Sequence, residues 1–451
     1  MGTEQQHEQV DVAVVGAGVA GLVAARELGR QGLRTVVLEA RDRLGGRTWT
    51  DHRLGRDLEI GGTWLHWTQP HAWAEVNRYG LEVTRGPRSE ETYWLAGDEV
   101  RRGTLDDFMN LIDPGMTRLL EETMTWVPRP DDPLRNPDLA KADAWTVQEK
   151  LAELNLPEAE RNANEAAWVG HFNAPLEECS FVNALRWTAA AAGHWHLMHE
   201  STAIFRLAGG TKGLVAAVAA EAESTGNVDI RLSSPVTRLA HDADGATVSY
   251  GDGHGRPNGT GNGNGRTVRA RRVIVTLGQN LLDGLDVTPA LPEEKLVPAR
   301  EKTASQGAKA WIRVRGPIKP FFAYSSQHHP LSVVRTEFLG EDDAVLVAFG
   351  ADATRIDVND RDAIDAALKV WRDDLEVLEV GGHDWMADPH SRETWLIQRP
   401  GQFTGHHAAL QAPVGVLHFA SGDLANIWAG FIDGAVESAT RVSRQVRESL
   451  A

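Results

Sequence analysis

The sequence predicts an α/β chain, a doubly wound parallel sheet joined to a second, discontinuous α+β unit. Three observations predict it. A short apolar run at 10–15 ends in Gly16-Ala17-Gly18-Val19-Ala20-Gly21, a helical pattern follows to Arg30, and Gly32 stops it before a second apolar run at 35–38. Such a strand–helix–strand unit of about thirty residues opens a doubly wound sheet. Residues 104–200 then read mostly helical, with Glu, Ala and Leu in amphipathic spacing and Trp interspersed. Strand patterns return only after them.

Those later strands fall at 228–232, 236–240, 247–250 and 268–276. Between the last two, residues 251–265 are dominated by Gly and Asn, which bury no apolar surface, so they read as a flexible hairpin tip or, alternatively, a lid. Alternation at 308–314 and 344–349 predicts a second sheet, and the chain closes on a strand at 415–420 and a helix that starts near Gly430. No internal repeat is present.

A length of 451 residues suggests two domains or so. Hydrophobic content of 42% with 24% charged residues fits an ordinary globular protein. The formal net charge of −17 argues against nucleic-acid and anionic-lipid partners, which need clustered Lys and Arg. No apolar run reaches the roughly 18–20 residues that cross a bilayer, so no membrane partner is expected. Residues 1–9 are polar and lack the apolar core of a signal peptide, and Gln6 stands where a myristoylation motif wants Ser or Thr. Cys179 is the only cysteine, which excludes an intramolecular disulfide and points to a cytoplasmic home. A lone cysteine reads as a small buried hydrophobe, with a nucleophile as the sharper alternative.

Each glycine of the first turn has a physical task. Gly16 permits the tight bend, Gly18 lets backbone approach a pyrophosphate, and Gly21 lets helix and strand pack closely, with Ala20 in the first helical turn. Glu39 ends the second strand, 18 residues after Gly21, where a carboxylate can accept both ribose hydroxyls. Arg41-Asp42-Arg43-Leu44-Gly45-Gly46-Arg47 follows, and then Gly61-Gly62-Thr63-Trp64. On these residues the chain resembles the flavin monoamine oxidase family, within the larger glutathione-reductase-like FAD superfamily. The resemblance implies FAD contacts at Arg41, Gly46 and Arg47 on the pyrophosphate side, and at Gly61, Gly62, Thr63 and Trp64 along the flavin. A guanidinium forking onto phosphate and a loop of small residues suit those tasks. The plain alternative for Arg47 is a surface ion pair.

The resemblance runs nearly the full length. The segment 205–214 looks like the family's return into its FAD domain, and Val236 matches a residue whose backbone touches adenine. The strand through Leu277 matches one that normally ends in a proline-containing turn, from which Gly278 departs. His418-Phe419-Ala420-Ser421-Gly422-Asp423 and the segment 430–438 resemble the strand and flavin-facing helix at the family's end. They imply Asp423 beside the ribityl chain and an Ile432 N–H at the flavin's pyrimidine end, where the helix dipole favours negative charge. Trp385 resembles a tryptophan that packs near the flavin. Members that tether FAD use a cysteine near the place of Glu393, so the expected FAD is noncovalent.

For the chemistry, Lys309 lies in an alternating segment with Arg313 and Arg315 on its face, although Trp311 shares it. Read alone, it is a solvated strand lysine; the resemblance instead matches it to a lysine that holds a water against the reactive flavin nitrogen and could assist oxygen. Two aromatics that flank the substrate nitrogen are implied at Phe431 and Trp395, with Thr394 as the alternative to Trp395. Such a slot favours a neutral amine with its lone pair free. Phe172, Leu197 and Tyr324 are further pocket candidates. The run His194-Trp195-His196-Leu197-Met198-His199 lacks interleaved ligands at metal spacing, so no metal is expected. With the stretch 64–73, it looks most like the bacterial cyclohexylamine oxidases.

The expected FAD domain spans residues 1–85, 205–295 and 385–451, and the substrate domain 86–204 and 296–384. The expected reaction takes hydride from the α-carbon of a small apolar amine and gives hydrogen peroxide from oxygen, with a homodimer compatible with all of this. An amino-acid oxidase or desaturase on the same scaffold, or a non-redox flavoprotein, is the alternative. An amino-acid oxidase needs an arginine to clamp a carboxylate, and the sequence assigns none to the pocket.

Overall fold

The computed structural model describes residues 8–97, 99–251 and 265–451. Of the stretch expected as a hairpin tip, residues 252–264 lie outside the described residues.

The apolar run at the start forms strand Glu8–Val15, whose inner half is buried on both faces. It pairs in parallel with Thr35–Leu38 on one side and Arg266–Val275 on the other. That central position explains a continuous run of Val and Ala where a half-exposed strand would alternate. Val228–Arg231 extends the sheet beyond Thr35–Leu38, also in parallel, and Leu417–Phe419 pairs in parallel with the end of Arg266–Val275. The first half of Arg266–Val275 pairs antiparallel with Ala246–Tyr250, which pairs antiparallel with Val236–His241. Helix Val19–Gly29 is buried along almost its whole length, between helices Thr211–Ser224 and Ile432–Leu450.

The second sheet has seven strands, in the order 377–382, 308–315, 343–350, 333–339, 321–324, 91–96 and 99–103. It is antiparallel except where Phe321–Tyr324 meets Glu91–Ala96. Helices Leu105–Leu120, Glu158–Phe172, Phe181–Ala190 and Trp195–Ala203 share a core with the sheet face bearing Trp311, Tyr324, Val347 and Phe349. Helix Arg361–Leu368 packs on the opposite face, against Ile312 and Leu346. Helix Leu105–Leu120 begins at a reciprocal cap, Thr104 and Asp107 each accepting from the other's backbone N–H. Both strands foreseen for this sheet are present; the hairpin at 91–103 and the strands at 333–339 and 377–382 were not foreseen.

One expectation changes here. The Lys309 face of strand Ala308–Arg315 is not solvated: Lys309 is 6% exposed and Trp311 1%. The strand is interior to its sheet, and the segment Glu59–Trp64 is laid across that face. Only at Arg313 and Arg315 does the polar alternation reach the surface.

Candidate active site

A single cavity of about 480 Å³ lies outside the carboxyl ends of the parallel strands, and its wall includes Val15, Leu38, Glu39, Thr276 and Leu277. Clefts for ligands form in that place in open α/β sheets because the loops there diverge. From those strand ends the cavity continues beneath the seven-stranded sheet.

The near end is built of backbone. Gly16 has φ of +102°, and a Cβ on Gly21 would sit 2.0 Å from the Gly16 carbonyl oxygen, so no side chain fits between turn and helix. Glu39 is buried under the turn: one oxygen accepts the Ala17 N–H at 2.7 Å and the other the Arg41 N–H at 2.8 Å. The second glycine turn meets the first, with Gly45 N–H bonded to Ala17 O at 2.9 Å. Gly16, Gly18, Ala20, Glu39, Arg41, Gly46, Arg47 and Val236 all line the cavity, while Gly21 sits behind the turn. A cradle of this kind, with a helix N-terminus and a carboxylate beyond it, can hold a dinucleotide.

The arginines differ from expectation in one respect. Arg41 donates to Asp388 at 2.8 Å and to Ser391, and Arg47 donates to both oxygens of Asp423 at 2.8 and 2.9 Å and to Thr394 O. One arm of the Arg47 guanidinium is therefore held by a carboxylate. Asp423 has no place in the cavity wall because it lies behind Arg47 as the counter-ion, also accepting the Gln279 N–H. Glu393 stands 3.1 Å from Arg47. Burial and the neighbouring Asp423 push the Glu393 carboxyl well above the usual range, against the pull of Arg47. The departure at Gly278 has a local correlate: a Cβ there would sit 1.8 Å from a Glu393 oxygen, so any side chain would have to displace that carboxylate.

Further in, Gly61 leaves no space for a side chain, since its Cβ would meet Arg47 O at 1.9 Å. Lys309 pins this loop, donating to Glu59 O at 2.7 Å, Gly61 O at 2.8 Å and Thr63 Oγ1 at 2.7 Å. Three N–H groups on three protein oxygens leave none to hold a water, which departs from the role implied by resemblance. Burial lowers the Lys309 ammonium to about 7, Glu59 and Glu337 opposing that shift. Trp64 lies under the Lys309 ammonium at 5.1 Å, and Trp385 donates to Ile60 O at 3.2 Å.

The far end is built of rings. Helix Ile432–Leu450 brings Phe431, Ile432 and its open N-terminus to the cavity, and Trp395 and Thr394 enter from the preceding loop. Phe431 packs edge-on to Trp187 at 4.9 Å, and Trp395 edge-on to Phe349 at 6.1 Å. Tyr324 lines the cavity, stacked on Phe108 at 4.3 Å, and burial pushes its hydroxyl up. Phe172 and Leu197 are not in the wall. Phe172 is screened by Trp168 and Trp187, and Leu197 points into the helical core. Cys179 is enclosed, its thiol donating to Pro175 O and pushed well up by burial, so it is no nucleophile.

Sequence reading missed Trp187, His171 and Arg335, and singled out His199 only within the run 194–199. The sequence assigned no arginine to the pocket; Arg335 lines the cavity and lies over the Trp64 ring at 4.6 Å. Its guanidinium is paired with buried Glu337 and also donates to Ala203 O. Arg335 and Glu337, two apart in one strand, were the available signal.

A dinucleotide cradle that runs into an enclosed aromatic slot is the layout of a cofactor-dependent oxidoreductase. The chain belongs to the flavin containing amine oxidoreductases, whose family description matches residues 19–447. It is 34% identical to a pseudooxynicotine dehydrogenase from a Pseudomonas species, over 100% of this chain and 88% of that one. A double mutant of putrescine oxidase superposes with a TM-score of 0.83 at 26% identity, covering 98% of this chain and 99% of that one. The cyclohexylamine oxidase of Brevibacterium oxydans shares the fold, with a TM-score of 0.78 at 22% identity over 98% and 99% of the two chains. The protein is thus a mixed α/β flavin-dependent amine oxidoreductase. Among the described residues no helix is long and apolar enough to cross a membrane.

Proposed function

We propose that the chain is an FAD-dependent oxidase of a small amine with an apolar reacting end. Hydride leaves the amine α-carbon for FAD, the imine is hydrolysed to an aldehyde or ketone, and oxygen is reduced to hydrogen peroxide. The observation that carries this reading is the continuity of one cavity from the Gly16 turn to the Phe431–Trp395 slot. Bound FAD supplies the hydride acceptor. The chain's own residues orient and desolvate the amine: Phe431, Trp395, Trp187 and Tyr324 make a dry slot that favours the neutral amine. Glu39 orders the turn that meets the adenosine half, and the N-terminus of helix Ile432–Leu450 offers N–H groups to charge developing on the ring.

The same reading assigns a glutathione-reductase-like FAD domain to residues 1–85, 205–295 and 385–451, and the substrate domain to 86–204 and 296–384. The five parallel strands fall in the first set and the seven-stranded sheet in the second. Noncovalent FAD follows from Glu393 at the tether position, and acid precipitation should leave yellow FAD in the supernatant; flavin retained in the pellet would refute it. A cytoplasmic location rests on the single buried cysteine. A homodimer is tested by light scattering on the purified protein. The main test is a peroxide-coupled screen over amines and amino acids: amine-dependent peroxide supports the reading, and peroxide from amino acids alone replaces it.

One observation favours a second reading, a dehydrogenase passing electrons to an acceptor other than oxygen. Lys309 has no free N–H and loses its charge near neutral pH, which weakens its help to oxygen. Amine-reduced enzyme that is slow in air and fast with ferricyanide would select it.

A further inference from the structure

We infer that His171 and His199 form an uncharged hydrogen-bonding clamp that selects an amine carrying a neutral polar group, an oxygen or an aromatic ring nitrogen, at its far end. This rests on the amine reading above and narrows its substrate class. The two residues come from different helices, His171 from the last turn of Glu158–Phe172 and His199 from Trp195–Ala203. Both line the cavity. Their rings meet edge to face at 5.3 Å, with His199 Nδ1 3.4 Å from His171 Nε2. Among the described residues, neither His171 Nδ1 nor His199 Nε2 has a protein partner, so both are free for a ligand.

The proton count of the pair follows from its geometry. Burial lowers His171 to about 3 and His199 to about 4, with His199 and Arg335 respectively adding to it, so both rings are neutral near pH 7. A neutral imidazole carries one N–H and one acceptor nitrogen. If His199 Nδ1–H donates to His171 Nε2, then His171 Nδ1 carries a proton and His199 Nε2 is the free acceptor. If the shared proton belongs to His171, the two free roles exchange. Either way the pair offers one donor and one acceptor to the cavity.

Charge and position narrow the ligand. Among the described residues Glu39 is the one carboxylate in the wall, and it is held beneath the Gly16 turn. Arg335 next to the clamp is held by Glu337, a carboxylate that Arg206 also approaches at 3.4 Å. A second ammonium would find no counter-ion there, and a tail carboxylate would find only an arginine already paired; both would be buried at a cost. Between Phe431 and the clamp the wall is Trp187, Ile112, Ala167, Gly170 and Tyr324, and behind it the rings of Phe172 and Trp168 join Trp187 to His171 at 5.2, 5.1 and 5.7 Å. The ligand is therefore an apolar stem with an amine at one end and a neutral polar group at the other.

The test uses the holoenzyme and anaerobic stopped-flow bleaching of the flavin by four amines. Phenylpropylamine and pyridylpropylamine differ by one ring atom; hexylamine and hexamethylenediamine differ by a second ammonium. The wild type should prefer the pyridyl amine by roughly five- to tenfold in reduction rate over Kd, the worth of one hydrogen bond. The diamine should be poorer than hexylamine. His171→Leu and His199→Leu should each bring the pyridyl preference close to unity, and His199→Gln should keep part of it. FAD content and visible spectrum check each variant, and the Gln variant gives the reading if a Leu variant loses its flavin. Equal use of the two ring amines by the wild type, a preference that survives both Leu variants, or a preferred diamine would overturn the clamp and leave amine oxidation standing. No bleaching by any amine would overturn amine oxidation and the clamp with it.

Discussion

The wall that starts at Gly16 and the wall that faces it from His171 to Phe431 are made of different material. The first is backbone: turns at Gly16, Gly45 and Gly61 lie within one stretch of chain, and three of its glycines, Gly21, Gly45 and Gly61, admit no Cβ at all. The second is side chain: Trp187, His171, His199, Tyr324, Arg335, Trp395 and Phe431 arrive from separate helices, strands and loops. A backbone wall fixes its ligand by shape and tolerates almost no substitution. A side-chain wall can exchange one ring for another and change what it accepts. On the function proposed above, the cradle defines the cofactor, while the rings define the substrate.

Four substitutions probe that contrast. The largest effect is expected at Gly61→Val, whose added carbons would collide with Arg47 O; the protein should purify without flavin, read from its visible spectrum. Near-full flavin content would mean that the backbone wall yields more than its geometry allows. Lys309→Met comes next. If the ammonium assists oxygen, reoxidation of reduced enzyme should slow by roughly 3–4 kcal/mol, about a hundredfold or more, with amine reduction changed less. The pH dependence has a definite sign: the charged form is lost as pH rises through about 7, so wild-type reoxidation should fall across that range and Lys309→Met should be flat. Equal slowing of both half-reactions would make Lys309 a brace for the Gly61 loop, and unchanged reoxidation would favour the dehydrogenase reading.

Glu39→Ala removes a carboxylate that holds two backbone N–H groups, and FAD affinity should drop roughly ten- to a hundredfold, measured by reconstitution of apoprotein. Full occupancy after dialysis would take Glu39 out of the site. The smallest change is expected for Trp395→Leu on the ring wall, where flavin content should be kept and amine reduction should slow roughly three- to tenfold, the range for one aromatic contact. Loss of flavin in that variant would erase the contrast between the walls.

The same contrast explains what could be read without a structure. Strand runs, the glycine turns and Glu39 were legible because each is a local demand written at fixed spacing. Lys309 was half legible: alternation put it on a polar face, but nothing in its own strand reports that Glu59–Trp64 lies across it. His171 and His199 were illegible as a pair, since 28 residues and a third helix separate them. Phe172 and Leu197 were misplaced because helical periodicity names a buried face without saying which buried atoms border a cavity. Asp423 was expected at the cofactor; it is absent from the cavity wall and pairs with Arg47, which is in it.

Gly278 and Glu393 lie 115 residues apart, yet a Cβ on the first would sit 1.8 Å from an oxygen of the second. Descent with modification must respect that overlap. A side chain gained at 278 while Glu393 is kept would have to displace that carboxylate from its place beside Arg47, whereas shortening residue 393 first opens the space. The two positions are therefore sterically coupled, and what one can become depends on what the other already is.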